Sequence, residues 1–133
     1  MKLTVHVDGG ARGNPGPAAV GVVVTDPEGR ELAAEGAYIG EATNNVAEYR
    51  GLLLGLELAR DLGATEVEVI NDSELVARQI GSQYKVKNAA LRPLFAEAME
   101  ALRGFERWSV RNVPREQNER ADGLVNEALD ARP

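Results

Sequence analysis

Four acidic side chains stand where this sequence can hold a carboxylate still and keep it reachable. Leu3, Val5 and Val7 alternate with Thr4 and His6, the period-two pattern of a strand with one apolar face, and that strand delivers Asp8 to the point where Gly9 and Gly10 interrupt it. Gly13, Pro15, Gly16 and Pro17 then fold the chain tightly back, leaving Asp8 open to a metal ion or a substrate while a sheet holds its backbone. Glu66 to Ile70 alternates in the same way and runs into Asn71-Asp72-Ser73, so a second carboxylate ends a second strand. Glu48 falls in the first two turns of a helical segment, at the end nearest the preceding loop, and Asp122 lies on the closing helical segment. Ligands gather at the carboxyl ends of strands in mixed sheets, so Asp8 and Asp72 converge on one locus and Glu48 can reach the same edge. Each acid also has an ordinary structural reading. Asp8 can initiate a turn, Glu48 can answer a helix dipole, Asp72 can cap a helix, and Asp122 can be a solvated helix position.

The elements that must position these groups can be read in chain order. Ala19–Thr25 is a β-branched run, Asp26-Pro27-Glu28-Gly29 is a turn, and a third strand spans roughly Arg30 to Ile39. These three strands form an antiparallel meander. Thr43 and Asn44 can cap a helix whose apolar stripe (Val46, Ala47, Leu52, Leu53, Leu56, Leu58, Ala59) stops near Gly63. After the Glu66–Ile70 strand comes a short helix through Ile80, then a connector from Gly81 to Asn88. A helix over Ala89–Leu102 follows, with Leu91, Leu94, Phe95, Ala98, Met99 and Leu102 on one face and Pro93 tolerated near its start. Arg107–Val113 alternates as a fifth strand, and Gln117–Ala131 closes the chain as a helix with Ala121, Leu124, Val125, Ala128 and Leu129 inward. The order predicts an α/β fold: a five-stranded mixed sheet, three antiparallel strands and then parallel ones, with helices on both faces.

At 133 residues, and with no linker, repeat or low-complexity tract, the whole chain (1–133) is expected to be one domain able to bury its own core. It has no cysteine, no signal-peptide core and no apolar run long enough to cross a bilayer, which sets the expectation of a cytoplasmic protein without a membrane partner. A formal net charge of −6 argues against a nucleic-acid partner. That argument reverses if several acids share a divalent-metal site, because bound cations invert the field a phosphate would meet.

The motifs and their order resemble those of the type I ribonuclease H family. The match runs through Asp8-Gly-Gly-Ala-Arg-Gly-Asn14-Pro-Gly, Thr43-Asn44-Asn45-Val-Ala-Glu48, Asn71-Asp72-Ser73, Val86-Lys87-Asn88 and Asn118-Glu-Arg-Ala-Asp122, and it covers nearly the whole chain. The resemblance implies a ribonuclease H-like fold and a monomer that hydrolyses the RNA strand of RNA–DNA hybrids, leaving 5′-phosphate and 3′-hydroxyl ends. Double-stranded RNA is a further candidate substrate. It also implies that Asp8, Glu48, Asp72 and Asp122 bind two Mg²⁺ or Mn²⁺ ions. Two such cations need several anionic oxygens, and without metal the clustered acids would raise one another's pKa. By the same resemblance Asn14, Asn44 and Asn45 contact the hybrid minor groove, where an amide suits a 2′-hydroxyl, and Glu74 contacts the hybrid as well. Thr43 and Asn88 match positions that hold a DNA-strand phosphate.

Two departures stand out. Larger members carry a basic helical protrusion that grips the hybrid, whereas here Gly81-Ser-Gln-Tyr-Lys-Val-Lys connects directly, as in compact archaeal and bacterial members. Larger members also place a histidine in the loop before the last helix, where this chain has Arg115 and Glu116 as candidate auxiliaries, one to steady phosphate charge and the other to take up a proton or guide a metal. His6, the single histidine, lies mid-strand opposite Val5 and Val7 and reads as a structural or helix-facing residue and not a catalytic one. Two rival functions share the fold: a catalytically weak or inactive nucleic-acid-binding module, and another ribonuclease H-like polynucleotidyl nuclease or transferase.

Overall fold

The computed structural model describes residues 1–133. Strands β1 (Lys2–Ala11), β2 (Gly16–Thr25) and β3 (Glu31–Ala42) come first, then helix α1 (Asn44–Asp61), strand β4 (Glu66–Asn71), helices α2 (Glu74–Ile80) and α3 (Arg92–Arg103), strand β5 (Arg107–Asn112) and helix α4 (Glu119–Asp130). The sheet order is β3-β2-β1-β4-β5. β1 pairs antiparallel with β2 and β2 with β3, while β1–β4 and β4–β5 are parallel, so the expected mixed sheet is present with β1 at its centre.

Alternation along β1 gives the sheet two packed faces. Leu3, Val5 and Val7, with Val22, Val24, Val67 and Val69, are buried against Tyr49, Leu52 and Leu56 of α1, Val76 and Ile80 of α2, and Ala98 and Leu102 of α3. On the opposite face Ala19 packs with Val125 and Leu129 of α4. Helices therefore cover both faces, three on one and one on the other. Glycines let them come close: a β-carbon at Gly51 of α1 would sit 2.5 Å from the Asp8 carbonyl oxygen, and one at Gly36 of β3 would sit 2.7 Å from the Leu124 carbonyl oxygen of α4. No helix is long and apolar enough to cross a membrane.

The structure corrects several boundaries. β1 does not stop at Asp8 but continues through Gly9 and Gly10 to Ala11, with pairs from Asp8↔Gly21 to Ala11↔Ala18. What stops is the parallel partner, whose last pair is His6↔Ile70, so Asp8 stands beyond the end of β4 on a strand that antiparallel bonding to β2 keeps extended. β3 likewise runs past Ile39 to Ala42. α3 begins at Arg92 rather than Ala89, because the Asn88 side chain accepts from the Ala90 N–H at 2.8 Å and turns the chain there. α4 begins at Glu119, preceded by a 3-10 turn over Arg115–Gln117.

Candidate active site

The four carboxylates come from three elements, β1, α1 and α4, and from the turn between β4 and α2. Asp8 is on the α4-facing side of β1, only 7% exposed, with its Oδ1 accepting from the Gly9 N–H at 2.9 Å. Glu48 lies in the second turn of α1, whose start is capped by Thr43 Oγ1 accepting from Val46 N–H at 3.2 Å. Asp72 follows the last residue of β4. Ser73 rather than Asp72 caps α2, its hydroxyl accepting from the Val76 N–H at 3.2 Å, which leaves Asp72 free of that structural duty. Asp122 stands in the first turn of α4. All four line one cleft of about 390 Å³, together with Gly9 to Arg12, Asn44, Arg115 and Asn126.

Burial sets the electrostatics of this cleft. Desolvation, the Asp72 charge and a hydrogen bond with Asp122 push Asp8 up to about 8. Glu48 is pushed up to about 7, chiefly by desolvation; the Ser73 hydroxyl pulls it back, Asp72 pushes it further up, and Arg115 pulls it down. Glu48 Oε2 is buried without any hydrogen-bond partner. A buried carboxylate oxygen lacking a donor is costly unless a positive charge reaches it. An all-oxygen donor set is the kind that hard divalent cations take. The side chains share the cleft without closing on one point, and no three of them converge as a ligating set in this arrangement.

The remaining residues singled out from sequence divide into those the fold brings to the cleft and those it does not. Asn44 lines it. Its Oδ1 accepts from the Ala11 N–H at 2.8 Å, and its own N–H donates to Asn14 Oδ1 at 3.1 Å, so both asparagines brace the glycine-rich turn against α1. Their oxygens are thereby engaged and each side-chain NH₂ is left to donate. Thr43 and Asn45 flank Asn44 but do not line the cleft, and neither do Glu74, at the start of α2, and Asn88, in the connector before α3. Arg115 reaches the cleft with its Nε 3.9 Å from Asp72 Oδ2, whereas the exposed Glu116 is not among the lining residues. Sequence reasoning misses Asn126. It sits one helical turn beyond Asp122 on the same face, a spacing the sequence does contain. His6 faces α4 beside Asn118 and Arg120 in a separate cavity, as its strand position predicts, and burial lowers its pKa.

Residues 6–128 match a family model described as "Reverse transcriptase-like". The chain is 46% identical to the ribonuclease HI of Halobacterium salinarum over 97% of its own length and 65% of that protein. It matches longer mycobacterial proteins at 48% identity while spanning 36% of their length. The crystal structure of RNase H1 from Halobacterium salinarum NRC-1 superposes with a TM-score of 0.97 at 45% identity, covering 99% of this chain and 100% of that one. LC11-RNase H1, solved in complex with an RNA/DNA hybrid, superposes with a TM-score of 0.92 at 47% identity over 96% of both chains.

Proposed function

The chain belongs to the ribonuclease H family, and from that premise we propose that it is a metal-dependent endoribonuclease hydrolysing the RNA strand of RNA–DNA hybrids. One observation carries the reading: Asp8, buried, and Glu48, half-buried, have raised pKa values in the same cleft as Asp72 and Asp122, and the buried Glu48 Oε2 has no partner there. A site built at that electrostatic cost makes sense when cations complete it. The relative LC11-RNase H1 was solved with an RNA/DNA hybrid, which supports the choice of substrate.

Asp8, Glu48, Asp72 and Asp122 would hold two Mg²⁺ or Mn²⁺ ions, rotation of the side chains bringing their oxygens together. Such a pair, when bound, supplies hydroxide at neutral pH and steadies the departing 3′-oxygen of an in-line displacement. The chain's own groups do the positioning. Arg115, exposed and beside Asp72, offers a guanidinium to a phosphate oxygen. The side-chain NH₂ groups of Asn14 and Asn44 donate to 2′-hydroxyl or base-edge oxygens, and Asn45 and Glu74 extend the same minor-groove surface. Glu74 supplies the acceptor that the asparagines lack. Thr43 and Asn88 hold a phosphate of the DNA strand. The auxiliary role at the reacting phosphate is not carried by Glu116, because that role needs the cleft and Glu116 does not line it.

A binding module on the same fold is the alternative, and the clustered acids speak against it: a protein that only gripped an anionic duplex would bind better without them. The deciding experiment offers end-labelled RNA–DNA hybrid, single-stranded RNA and double-stranded RNA to the protein with Mg²⁺, Mn²⁺ or EDTA. Hybrid RNA cut only with metal is the expected result. Binding without cleavage under every metal condition would establish the module instead.

A further inference from the structure

The connector between α2 and α3 has no helix or strand of its own, yet one residue holds its first half through both side chain and backbone. Arg78, on the last turn of α2, donates from Nε to Glu74 Oε1 at 2.8 Å and from Nη1 to Gln83 Oε1 at 3.0 Å. Its guanidinium carbon stands 5.4 Å from the centre of the Tyr84 ring. Its carbonyl accepts from the Gln83 and Tyr84 N–H groups, at 2.8 and 3.1 Å. The chain between takes the left-handed conformation at Ser82, with φ of 64°, which a serine tolerates only where its surroundings fix it. At the far end Arg92 Nε donates to the Val86 carbonyl at 3.2 Å. Lys85, one of the two cations of the segment, lies between the held residues Tyr84 and Val86, and the other, Lys87, follows Val86 and precedes Asn88.

We propose that Arg78 is a positioning residue for hybrid binding, locking Glu74 and the connector that bears Lys85, Lys87 and Asn88 into one rigid surface beside the catalytic cleft. The inference rests on the function proposed above and identifies what sets the grip in a chain without a basic protrusion. The physical reason is entropic. Lysines on a free loop must be ordered when they meet phosphate, and that ordering opposes binding, whereas a connector already held by a planar, forked guanidinium has little left to lose. Arg78 spends its fork on one oxygen each of Glu74 and Gln83, leaving Glu74 Oε2 to accept from a substrate hydroxyl. It is not among the residues lining the carboxylate cleft, so it acts on binding rather than on the reacting phosphate.

The test compares steady-state cleavage of RNA–DNA hybrid by wild type, Arg78→Ala and the double variant Gln83→Ala/Tyr84→Ala, the last keeping the Arg78–Glu74 pair and the backbone bonds to the Arg78 carbonyl while removing the two side chains that the Arg78 guanidinium holds. Wild-type cleavage establishes the underlying function first, so its absence would refute that reading and not this one. Given cleavage, both variants are expected to raise KM about tenfold with kcat within about twofold. The salt dependence of KM should also become shallower by about 1 in the log–log slope, as expected when one phosphate fewer is neutralised. A general loss of packing would not separate KM from kcat or change the salt slope. If Arg78→Ala proves unfolded, the double variant decides alone. Wild-type KM and slope in the double variant, or a fall confined to kcat in either, would overturn the proposal.

Discussion

Asn118 Nδ2 donates to the Val7 carbonyl at 2.9 Å across 111 residues of chain, so the start of α4 hangs from the peptide that directly precedes Asp8. The Asp122 N–H in turn donates to the Asn118 carbonyl at 3.1 Å. One buried asparagine thus sets the distance between an acid near the start of the chain and another near its end. Replacing Asn118 with alanine leaves the Val7 carbonyl unpaired, which should cost about 1–3 kcal/mol of stability. With the two acids no longer held in register, kcat should fall at least about tenfold. Urea unfolding and single-turnover cleavage measure the two effects. Stability lost with kcat intact would reduce the bond to a purely structural one.

Asp8→Asn should abolish cleavage and leave the metal-free protein as stable as wild type or more so, since it removes a carboxyl whose ionisation is opposed first by burial and then by the neighbouring acids. The comparison is thermal melting in EDTA beside activity in Mg²⁺. Activity within about tenfold of wild type, about 1.4 kcal/mol of barrier, would remove Asp8 from the metal site.

The metal-free protein should lose stability as pH rises from about 4 to about 8. Asp8 and Glu48 have folded-state pKa values raised to about 8 and about 7, so between those values and their unfolded values of 3.8 and 4.5 the native state binds more protons than the unfolded state. Stability then has a negative slope against pH across that window and levels off once both acids are ionised. Saturating Mg²⁺ should flatten the slope by favouring the ionised forms. Denaturant midpoints taken at each pH unit with EDTA and with Mg²⁺ test this, and a metal-free midpoint that climbs between pH 5 and 8 would contradict it.

Asn44→Ala and Asn45→Ala should differ. Asn44 braces the glycine-rich turn through Ala11 and also presents its NH₂ to the cleft, so its loss should lower kcat/KM on hybrid by about tenfold or more. Asn45 does not line the cleft, and its loss should act mainly through ribose contact, lowering kcat/KM by less. Cleavage of hybrids carrying single 2′-deoxy substitutions separates the roles, and wild-type kcat/KM in both variants would refute the minor-groove assignment.

Gly51→Ala should destabilise the fold and weaken activity together. The added β-carbon would meet the Asp8 carbonyl oxygen at 2.5 Å, with helix backbone on one side and strand backbone on the other, so neither can yield cheaply. A loss of about 1–3 kcal/mol is expected. Gly123→Ala is the control: it is also helical, nothing lies within 4 Å of its added carbon, and it should stabilise by about 0.5–1 kcal/mol. Equal melting temperatures for the two variants would show that the contact is not tight.

How much of the molecule is legible in the chain follows the range of the forces involved. Period-two alternation in Leu3–Val7 and Glu66–Ile70, the helical stripe of α1 and the turn residues are local signals, and they suffice for the element order and the mixed sheet. The acids can be picked out because their neighbours along the chain, glycine after Asp8 and serine after Asp72, mark ends and turns. Tertiary structure decided what local signals cannot carry. β1 runs past Asp8 because β2 supplies hydrogen bonds to Gly9 and Gly10, although glycine alone reads as a break. Asp72 is spared a capping role because Ser73 takes it. Glu116 and Arg115 are adjacent in sequence, yet only Arg115 reaches the cleft. Asn118 meets Val7, and a guanidinium on α2 organises the following loop, through contacts that exist only once the sheet has set the layers. The raised pKa values of Asp8 and Glu48 belong to the same class, since desolvation is a property of what surrounds a carboxylate in space and not of its neighbours in the chain.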